Sequence, residues 1–386
     1  MMRVLFVSDV FFPRVNGVST SIATFRADLE RLGVETLLVA PRYAGETVSE
    51  EHGVVRVAGS KVPGDPEDRR MRWGALRRAL AGLERETFDL VHVHTPFVAH
   101  YAGVREARRR GVPVLATYHT FFEEYLHHYV PVLPRPLGRT LARAFTRSQC
   151  SAVQALVAPS EPLRQVLCEY GVDTPVHVIP TGLPADRFAP GNAARFRALA
   201  QLPAHRPLVT YVGRVAHEKN IDFLVRVFER VRRSVPEAML IIAGEGPARE
   251  PLRKLVGQLG LTADVRFVGY LDRDTSLLDC YAAASVFAFA SRTETQGLVL
   301  LEALAQGTPV VSTAELGTKS ILAPACGAVI AEEREEPFAA AVVQVLRDAD
   351  LRGLLSAQAR TYARGWSSAS MAARLAELYR TLPRAA

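Results

Sequence analysis

Short apolar runs alternate along this chain with segments that carry apolar residues at helical spacing. The runs predict buried strands, and segments such as Ser19 to Leu32 predict amphipathic helices between them. In the first half the predicted strands are Val4–Val7, Thr36–Val39, Leu90–His94, Val114–Thr117 and Ala155–Ala158. In the second half they are Leu208–Val212, Met239–Ala243, Val265–Val268, Val286–Ala290 and Pro309–Ser312. Such alternation is typical of parallel, doubly wound sheets.

The repeated order predicts two domains. A chain of 386 residues exceeds what one hydrophobic core ordinarily fills. A stretch rich in Pro, Ala and Arg, from Pro180 to about Pro207, separates the two sets of strands. We predict an α/β fold with two doubly wound, Rossmann-like domains, residues 1–183 and 184–365, facing each other across a cleft. Ligands of such sheets bind beyond the carboxyl ends of the strands. Residues 366–386 form a separate C-terminal segment with an amphipathic helix.

Composition favours a folded protein of a reducing compartment. The apolar fraction is 48%, and four scattered cysteines show no metal-ligand spacing. The opening Arg3–Asp9 is too short for the apolar core of a signal peptide. No apolar run is long enough to cross a bilayer. The scattered cysteines suggest reduced thiols, so we expect a cytoplasmic protein.

The net charge of +7 arises from 47 basic and 40 acidic residues. This excess is modest for the length, and it favours local basic patches over a uniformly basic surface. We expect no nucleic-acid partner. Most of the basic residues are arginines, which suit phosphate-bearing ligands or lipid headgroups. Solvated helix faces account for them equally well.

An anion site is predicted after the first strand of the second domain. The run Leu208–Arg214 leads into Val-Ala-His-Glu-Lys219, and a helical pattern follows. Arg214 leaves the carboxyl end of the strand, and Lys219 stands where the helix begins. Two cations beside a helix N-terminus can bind a diphosphate and stabilise the charge that grows as a sugar bond breaks. The alternative is a pair of surface cations that cap a loop.

Two glutamates eight residues apart, Glu294 and Glu302, bracket a loop-to-helix junction. In a continuous helix this spacing spans about 12 Å. That distance suits an elongated nucleotide-sugar, with the sugar at one end and the ribose at the other. Gly297 between them lets phosphate or sugar approach the backbone N–H groups. The glutamate pair alone is weak evidence, but together with the two cations it predicts a nucleotide-sugar site.

The first domain offers two candidate residues. Gly17 lies in the loop after the first strand and would let that loop approach a ligand. His119 stands at the carboxyl end of a strand, in Thr117-Tyr-His-Thr120. A histidine there can hydrogen-bond a sugar hydroxyl or steer the acceptor. A structural histidine with satisfied hydrogen bonds is the alternative.

Three other motifs are weaker, and we expect no metal site. Asp272-Arg-Asp274 resembles an Asp-x-Asp metal motif, but short acidic triplets are common in loops. His92-Val-His94 places two imidazoles on one strand face without an evident third ligand. Gly244-Glu-Gly246 follows a strand like a dinucleotide fingerprint, yet Arg249 stands where the third glycine belongs.

At these positions the chain resembles the retaining glycosyltransferases of family 4, which have the GT-B fold. The resemblance covers nearly the whole length, through Asn16-Gly17, His119, Gly213–Lys219, Gly244–Pro247 and Glu294–Gly307. It implies that Arg214 and Lys219 bind the donor diphosphate, that Glu294 contacts the donor sugar and that Glu302 holds the ribose hydroxyls. It also implies that Gly17 faces the donor and that His119 lies close to the reacting sugar.

The resemblance completes the expected site and mechanism. The catalytic residues are expected to be His119, Glu294, Arg214 and Lys219. The donor-binding set, besides those already named, takes in three residues of the run between the glutamates, namely Gln296, Gly297 and Leu298. The family needs no metal or other cofactor and keeps the anomeric configuration, with the leaving phosphate helping to deprotonate the acceptor. Its C-terminal helix crosses back onto the first domain, a role that Trp366–Leu382 fits.

Finer motifs resemble the diacylglycerol glucosyltransferases and related lipid-acceptor enzymes. They are Thr95-Pro-Phe97, Thr117–Thr120 with Tyr125 and His128-Tyr129 after it, and Glu294-Thr-Gln-Gly297, where many family members carry Phe in place of Gln296. Mannosyltransferases of phosphatidylinositol-type lipids share much of this pattern. The resemblance implies transfer of a hexose from a nucleotide-diphosphate sugar to a diacylglycerol-type lipid, giving an α-glycolipid. The same chemistry on a soluble or polysaccharide acceptor is the alternative.

Two basic segments, near 69–83 and 134–148, predict contact with an anionic membrane. One has Trp73, Leu76 and Leu80 among Arg69, Arg70, Arg72, Arg77 and Arg78; the other has Leu137, Leu141 and Phe145 beside Arg135, Arg139, Arg143 and Arg147. Basic amphipathic helices suit such a surface, each cation adding roughly 1 kcal/mol. We expect both to seat the first domain on the inner face of the cell membrane. Ordinary surface helices that pack on the core are the alternative.

Other protein classes share this architecture. A sugar-nucleotide epimerase, a phosphorylase with a lysine-bound pyridoxal phosphate, or a nucleotide-sugar sensor without catalysis would show similar domains. The absence of pyridoxal phosphate absorbance would count against a phosphorylase, and a sensor would bind the donor but show neither transfer nor slow donor hydrolysis. The sequence predicts neither the base nor the sugar of the donor.

Overall fold

A computed structural model of the protein describes residues 1–43, 53–62, 65–119 and 135–382. The chain forms two compact units. The N-terminal unit is Met1–Gly182 together with the chain from Ser368 onward, and the C-terminal unit is Leu183–Ser367.

The N-terminal unit is built on a parallel sheet. Its elements are β1 (Met2–Val7), α1 (Gly17–Arg31), β2 (Val34–Pro41), β3 (Val54–Val57), β4 (Gly59–Val62), β5 (Asp65–Met71), α2 (Trp73–Gly82), β6 (Leu90–Val93), α3 (Val98–Arg110), β7 (Val114–Thr117), α4 (Arg135–Cys150), β8 (Ala155–Ala158), α5 (Glu161–Glu169) and β9 (Val176–Val178). The described strands of the sheet run in the order β3-β2-β1-β6-β7-β8-β9, and β4 and β5 form a separate antiparallel hairpin.

The C-terminal unit repeats this plan. Its elements are a 3₁₀ turn (Ala185–Phe188), α6 (Ala193–Leu199), β10 (Leu208–Val212), a second 3₁₀ turn (His217–Lys219), α7 (Ile221–Ser234), β11 (Met239–Ala243), α8 (Arg249–Gln258), β12 (Val265–Gly269), α9 (Ser276–Ala283), β13 (Val286–Phe289), α10 (Leu298–Ala305), β14 (Val310–Ser312), α11 (Thr318–Leu322), β15 (Ala328–Ile330), α12 (Glu335–Arg347) and α13 (Ala349–Ala363). Its sheet is parallel throughout, with the order β12-β11-β10-β13-β14-β15. The last helix, α14 (Ser368–Thr381), packs against α1 in the N-terminal unit.

Burial follows the apolar pattern. The central strands are buried on both faces, as in β1, where Val4 to Val7 have no exposed surface. Helix α7 buries the face that carries Leu224 and Phe228, at the spacing the sequence predicts. Helix α14 buries Leu375 and Tyr379 against the first sheet's helical layer. The predicted doubly wound α/β architecture is therefore confirmed for each unit.

The predicted basic helix near 69–83 is partly wrong. Arg69 and Arg70 belong to β5, where they pair with Lys61 and Ser60 of β4, and helix α2 begins only at Trp73. Helical spacing of arginines and apolar residues favoured one continuous helix, but hairpin pairing decides the backbone up to Met71. The amphipathic helix is thus confined to ten residues, and it buries Leu76 and Leu80 in the core.

The second basic segment forms a helix as expected. Helix α4 covers Arg135–Cys150, while residue 134 lies outside the described residues. Three residues named among the lipid-type motifs, Tyr125, His128 and Tyr129, also lie outside them, as does Thr120.

Candidate active site

The loop that carries Arg214 is held by the neighbouring loop through backbone contacts. Gly213 N donates to Ala243 O at 3.0 Å, and Val215 N donates to Glu245 O at 2.9 Å. These bonds join the ends of β10 and β11, which are adjacent parallel strands. The carboxyl edge of the sheet therefore positions the loop, as the sequence predicts.

Glycines in Gly244-Glu-Gly246 permit this close approach. A Cβ atom on Gly244 would lie 2.0 Å from the carbonyl oxygen of Gly213, and one on Gly246 would lie 2.3 Å from that of Val215. Both positions also have positive φ. The motif that resembles a dinucleotide fingerprint thus serves to pack one loop against another.

Lys219 and Glu294 meet across two loops of the C-terminal unit. Lys219 Nζ donates to Glu294 Oε2 at 2.7 Å, and the two side chains are 18% and 23% exposed. Asn220 steadies this junction because its side-chain amide donates to Ala290 O at 3.1 Å, just beyond β13. The structure therefore brings together a cation and a carboxylate that the sequence places 75 positions apart.

Arg214 lies beside the same cluster. Its guanidinium donates to Glu218 Oε1 at 3.2 Å, and both side chains are nearly buried. The buried hydroxyl of Tyr211 donates to Arg214 O at 3.1 Å. Burial raises the pKa of Tyr211 well above its ordinary value, and the negative charges of Glu294 and Glu218 add to this rise. Arg214, Glu218 and Glu294 are thus close enough to act electrostatically on one phenol.

The segment between β13 and α10 is anchored to the loop after β14. Gly317 N donates to Glu294 O at 2.9 Å, and a Cβ on Gly317 would lie 2.0 Å from Thr295 O. Gly297 caps α10 with a φ of +97°, a conformation that favours glycine. Gln296 is buried and Leu298 is half-buried beside this cap. The unpaired backbone N–H groups of the first turn of α10 therefore lie only a few residues after Glu294.

Glu302 lies in a second cluster on α10. Its Oε1 accepts from Arg273 at 2.7 Å, and its Oε2 accepts from the Tyr281 hydroxyl at 2.9 Å. The carboxylate is 4% exposed, whereas the Arg273 side chain is 23% exposed. A carboxylate offers about four lone-pair positions, so these two bonds leave acceptor capacity for ligand hydroxyls. The partners of Glu302 are therefore different from those of Lys219 and Glu294.

Both carboxylates of the acidic triplet contact other groups of the protein. Asp272 Oδ1 accepts from the Thr275 hydroxyl at 2.8 Å and from Thr275 N at 3.0 Å. Asp274 pairs with Arg187 at 2.9 Å. These contacts give both carboxylates a role in shaping the turn between β12 and α9.

The two candidates of the N-terminal unit lie after β1 and β7. Gly17 is the first residue of α1, Asn16 caps that helix by accepting from Ser19 N at 2.8 Å, and a Cβ on Gly17 would meet nothing within 4 Å. His119 is half-buried, with Nε2 3.4 Å from His94 Nδ1, and burial lowers the pKa of His119 to about 4. His119 is therefore a neutral imidazole at neutral pH.

Sequence reasoning missed four residues that contact or adjoin the candidate site residues. Glu218 and Asn220 flank Lys219 in the predicted loop, so an acidic residue four positions after Arg214 was a usable signal. Arg273 and Tyr281 contact Glu302 from more distant elements, and nothing in their local sequence indicates it.

Two family models together match most of the chain. The family model described as Glycosyltransferase Family 4 matches residues 15–187, and that described as Glycosyl transferases group 1 matches residues 194–362. Alpha-monoglucosyldiacylglycerol synthase of Streptococcus pneumoniae is 31% identical over 81% of this chain and 71% of its own length. GDP-mannose-dependent alpha-mannosyltransferase of Mycobacterium tuberculosis is 31% identical over 84% of this chain and 82% of its own.

A solved structure shows the same fold. Sucrose-phosphate synthase from Thermosynechococcus elongatus matches 99% of both chains with a TM-score of 0.83 at 21% sequence identity. This likeness and the two parallel sheets show the fold, and the two family models support the resemblance carried by the sequence motifs. The chain belongs to the family 4 glycosyltransferases and has the GT-B fold.

Proposed function

We propose that this glycosyltransferase transfers a hexose from a nucleotide-diphosphate sugar to a diacylglycerol-type membrane lipid, with retention and without a metal. The name of the Streptococcus pneumoniae relative, alpha-monoglucosyldiacylglycerol synthase, supports the acceptor class. The contact that carries the donor half of the proposal is the Lys219–Glu294 pair beside Arg214.

The charges around this pair suit a diphosphate. In the structure Lys219 is paired with Glu294, and Arg214 is paired with Glu218. A diphosphate carries more negative charge than one carboxylate, so Lys219 is drawn toward the phosphate oxygens. Glu294 is then free to accept hydrogen bonds from sugar hydroxyls. Both cations then oppose the charge that builds on the leaving group. The first turn of α10 adds N–H donors next to Glu294.

Glu302 suits the other end of the donor. Its remaining lone pairs can accept two neighbouring ribose hydroxyls, while Arg273 and Tyr281 hold the carboxylate in place. The Arg273 guanidinium is partly exposed, so a bound nucleotide can contact it as well. Gln296, Gly297 and Leu298, in the proposed site, line the stretch between the sugar and ribose contacts.

The proposed mechanism assigns the acceptor proton to the leaving phosphate. Arg214 and Lys219 lower the energy of that phosphate as the bond to the sugar weakens, and Glu294 orients the sugar. The resemblance assigns His119, a neutral imidazole, to the reacting sugar and Gly17 to the donor, and the proposal keeps both roles. Attack from the face that the phosphate leaves retains the anomeric configuration and yields an α-glycolipid.

Helix α4 is the proposed contact with the inner face of the membrane. Leu137 and Leu141 are each 49% exposed, although they are large apolar residues on one helix face. Arg139, Arg143 and Arg147 are exposed on the same helix. Such a surface suits an anionic bilayer, in which leucines enter the headgroup boundary while arginines contact lipid phosphates. Within the parts of the chain that the structure describes, no helix is long and apolar enough to be a membrane span.

Acceptor screening tests the proposal. Purified protein is incubated with individual nucleotide-diphosphate hexoses and with anionic vesicles that contain diacylglycerol, with and without EDTA. We expect an α-linked glycolipid, unaffected by EDTA, identified by NMR of the product. A β-linked product contradicts retention, and loss of activity in EDTA contradicts metal independence. Equal or faster transfer to a soluble saccharide acceptor favours the alternative acceptor class.

A pair of matched variants tests the membrane surface. Leu137→Ser combined with Leu141→Ser should abolish co-sedimentation with anionic vesicles at low salt, because the exposed apolar face is removed. Leu354→Ser is the control, since Leu354 is 57% exposed on α13 of the other unit. Vesicle binding that survives the double substitution contradicts the role of α4.

A further inference from the structure

We propose that Arg187 is a positioning residue for the donor site, because it holds the loop from which Arg273 reaches Glu302. Arg187 lies in the 3₁₀ turn Ala185–Phe188, near the start of the C-terminal unit. Its side chain is 9% exposed, and it precedes Arg273 by 86 positions. The inference rests on the proposed function, in which Glu302 binds the ribose of the donor.

The first link joins Arg187 to the loop between β12 and α9. Arg187 Nη1 donates to the backbone carbonyl of Arg273, and its Nη2 donates to Asp274 Oδ1 at 2.9 Å. The Asp274 side chain is 80% exposed, so the bond to it contributes little by itself. The bond to the carbonyl fixes the backbone at the residue whose guanidinium contacts Glu302. The planar fork of an arginine suits both acceptors at once.

The second link joins residues 187–191 to the helix that carries Glu302. Gln306 caps the C-terminal end of α10, where its backbone N donates to Glu302 O at 3.2 Å. Its side-chain amide donates to Arg187 O and to Ala189 O, both at 2.9 Å. Its Oε1 accepts from Gly191 N at 2.9 Å. One buried glutamine side chain therefore binds three backbone groups of this segment.

The two links close a ring of contacts. From Glu302 the ring passes to the Arg273 guanidinium at 2.7 Å, and from the Arg273 carbonyl to Arg187. From the Arg187 carbonyl it passes to the Gln306 amide, and α10 leads from Gln306 back to Glu302. A change at Arg187 therefore reaches Glu302 by two routes, through Arg273 and through α10.

The far end of residues 187–191 is fixed by close packing on α9. A Cβ on Gly191 would lie 2.3 Å from Leu278 O, so the absence of a side chain permits this approach. The next residue, Asn192, donates its backbone N–H to Asp279 Oδ1 at 2.6 Å, and Asp279 is buried. The segment is thus held on both sides of its contacts with Gln306, and it can serve as a rigid support.

A rigid support matters because Arg273 is a long side chain that is 23% exposed, whereas Glu302 is 4% exposed. Ordering a long side chain when a ligand binds costs conformational entropy, and this cost is smaller when the backbone is already in place. With Arg187 in position, Arg273 keeps the Glu302 carboxylate oriented before the donor arrives. By thermodynamic linkage, a bound nucleotide holds residues 187–191 more firmly in return.

Nucleotide binding tests the role of Arg187. The probe is whichever of UDP, GDP and ADP binds the wild type most tightly, together with its 2′,3′-dideoxy form. We expect the dideoxy form to bind the wild type roughly tenfold more weakly. In Arg187→Met, which keeps the length of the side chain without a donor, this ratio of Kd values should fall to about threefold or less. A ratio that stays at the wild-type value in folded Arg187→Met overturns the proposal.

A double substitution checks that Arg187 acts through Arg273. The ratio of Kd values in Arg187→Met combined with Arg273→Ala should equal that in Arg273→Ala alone, because both substitutions disturb one contact of Glu302. A further fall in the double variant would show that Arg187 acts on the ribose by a different route, and it would contradict the proposed positioning of Arg273.

Arg206→Met is the matched control. Arg206 is also an arginine with little exposure, and it donates to Glu237 O at 2.6 Å, to Ala238 O at 2.8 Å and to Asp264 Oδ1 at 2.6 Å. It precedes β10, at the opposite edge of the sheet from the loop between β12 and α9. We expect both variants to unfold at a lower temperature than the wild type, but only Arg187→Met to change the ratio. An equal change in both would assign the effect to lost stability and overturn the proposal.

Hydrogen exchange of the Gly191 amide gives a second test on the wild type. This N–H is bonded to Gln306 Oε1, so its exchange rate reports on the closed ring. A saturating concentration of the same nucleoside diphosphate should slow its exchange, although Gly191 is outside the proposed donor contacts. Unchanged exchange overturns the proposal, even if Arg187→Met does not fold. If the parent and dideoxy forms bind the wild type equally, the ribose contact of the proposed function has failed, and exchange at Gly191 still decides whether the ring responds to the nucleotide.

Discussion

Lys219 Nζ donates to Glu294 Oε2 at 2.7 Å, and this bond joins the loop after β10 to the loop after β13. Adjacent parallel strands bring these loops to one edge of the sheet. Each side chain is about one-fifth exposed, so a ligand can reach both. In the proposed function, an incoming phosphate competes with the Glu294 carboxylate for the ammonium group of Lys219.

Removing the ammonium should affect the diphosphate selectively. In Lys219→Ala we expect kcat to fall by about 10²–10³-fold, because a fixed charge on the leaving group is lost. Binding of a nucleoside diphosphate should weaken, while binding of the corresponding nucleoside should not. Isothermal titration with both ligands measures this difference.

Glu294→Gln provides the matched control. The amide keeps a hydrogen-bond acceptor for Lys219 and removes the competing charge. We therefore expect diphosphate affinity to be retained or increased, while transfer falls because the sugar is held less firmly. Equal weakening of nucleoside and diphosphate binding in Lys219→Ala contradicts a phosphate contact.

Arg273 should act on the ribose end of the donor through Glu302. Arg273→Ala removes the ion pair of the nearly buried Glu302 carboxylate and leaves its hydrogen bond with the Tyr281 hydroxyl. Loss of one partner of such a pair costs about 3–5 kcal/mol when fully buried, and we expect less here because Arg273 is partly exposed. Donor affinity should fall, and thermal unfolding should occur at a lower temperature.

Deoxynucleotides separate these two effects. If Glu302 binds the ribose hydroxyls, a 2′,3′-dideoxy analogue should bind the wild type more weakly than the parent nucleotide. In Arg273→Ala that difference should shrink, because the carboxylate is no longer held in place. A constant difference in both proteins argues against the ribose role. Arg273→Lys is not a conservative control, since an ammonium cannot reproduce the geometry of a guanidinium.

We expect alanine substitution to lower stability at Gly317 and to leave it nearly unchanged at Gly17. In Gly317→Ala the new Cβ would lie 2.0 Å from Thr295 O, so the loop that carries Glu294 must move. We expect lower stability together with weaker donor binding. In Gly17→Ala the new methyl group meets nothing within 4 Å, so stability should stay within about 0.5 kcal/mol.

Activity then reports on the space beside Gly17. If the donor approaches this glycine, Gly17→Ala should lower kcat/KM although the fold is intact. Thermal unfolding and steady-state kinetics on the same preparation provide the test. Unchanged kinetics would show that the open space is not used by a substrate.

Strands and site motifs were predictable where the signal is local. The strand Leu208–Val212 is a continuous apolar run, and the structure has it with the same ends. The end of β7 at Thr117 likewise places His119 in a loop. Such elements are buried on both faces, so the apolar pattern alone specifies them.

Contacts between distant segments were not predictable in this way. The hairpin of β4 and β5 is held by pairing between strands, and its charged sequence resembles a helix when the partner strand is ignored. The hydrogen bond between Tyr379 and His92 depends on where α14 packs, and no local pattern encodes it. The contact between Arg273 and Glu302 was not predictable for the same reason. The residues that orient the proposed site are thus harder to find than the residues that form it.

Buried histidines predict that the N-terminal unit loses stability in mild acid. The folded-state pKa is lowered by burial to about 4 for His100 and for His119, and well below the ordinary value for His92 and His94. Unfolded histidine titrates near pH 6.5. Between these values the unfolded state binds more protons, so the free energy of unfolding falls as the pH falls from about 6.5 toward 4.

Asp9 acts in the opposite direction within this pH range. Its Oδ2 accepts from Thr95 Oγ1 at 2.9 Å and from Ala99 N at 3.0 Å, but burial is the larger influence and raises its pKa to about 6. The folded state therefore keeps a proton on Asp9 that the unfolded state has lost. This contribution stabilises the fold near pH 4 to 5 and is lost as the pH rises through about 6.

Two substitutions should therefore change the slope of stability against pH in opposite senses. His100→Gln removes one group that resists protonation, so the loss of stability in acid should become shallower, by up to about 1.4 kcal/mol per pH unit. Asp9→Asn keeps an acceptor oxygen for Thr95 and Ala99 but cannot bind the proton, so the loss should become steeper. Unfolding midpoints of both variants and the wild type, measured at several pH values from about 4.5 to about 7.5, test both predictions. Equal slopes in the two variants and the wild type would contradict the inference that burial shifts the pKa values of His100 and Asp9.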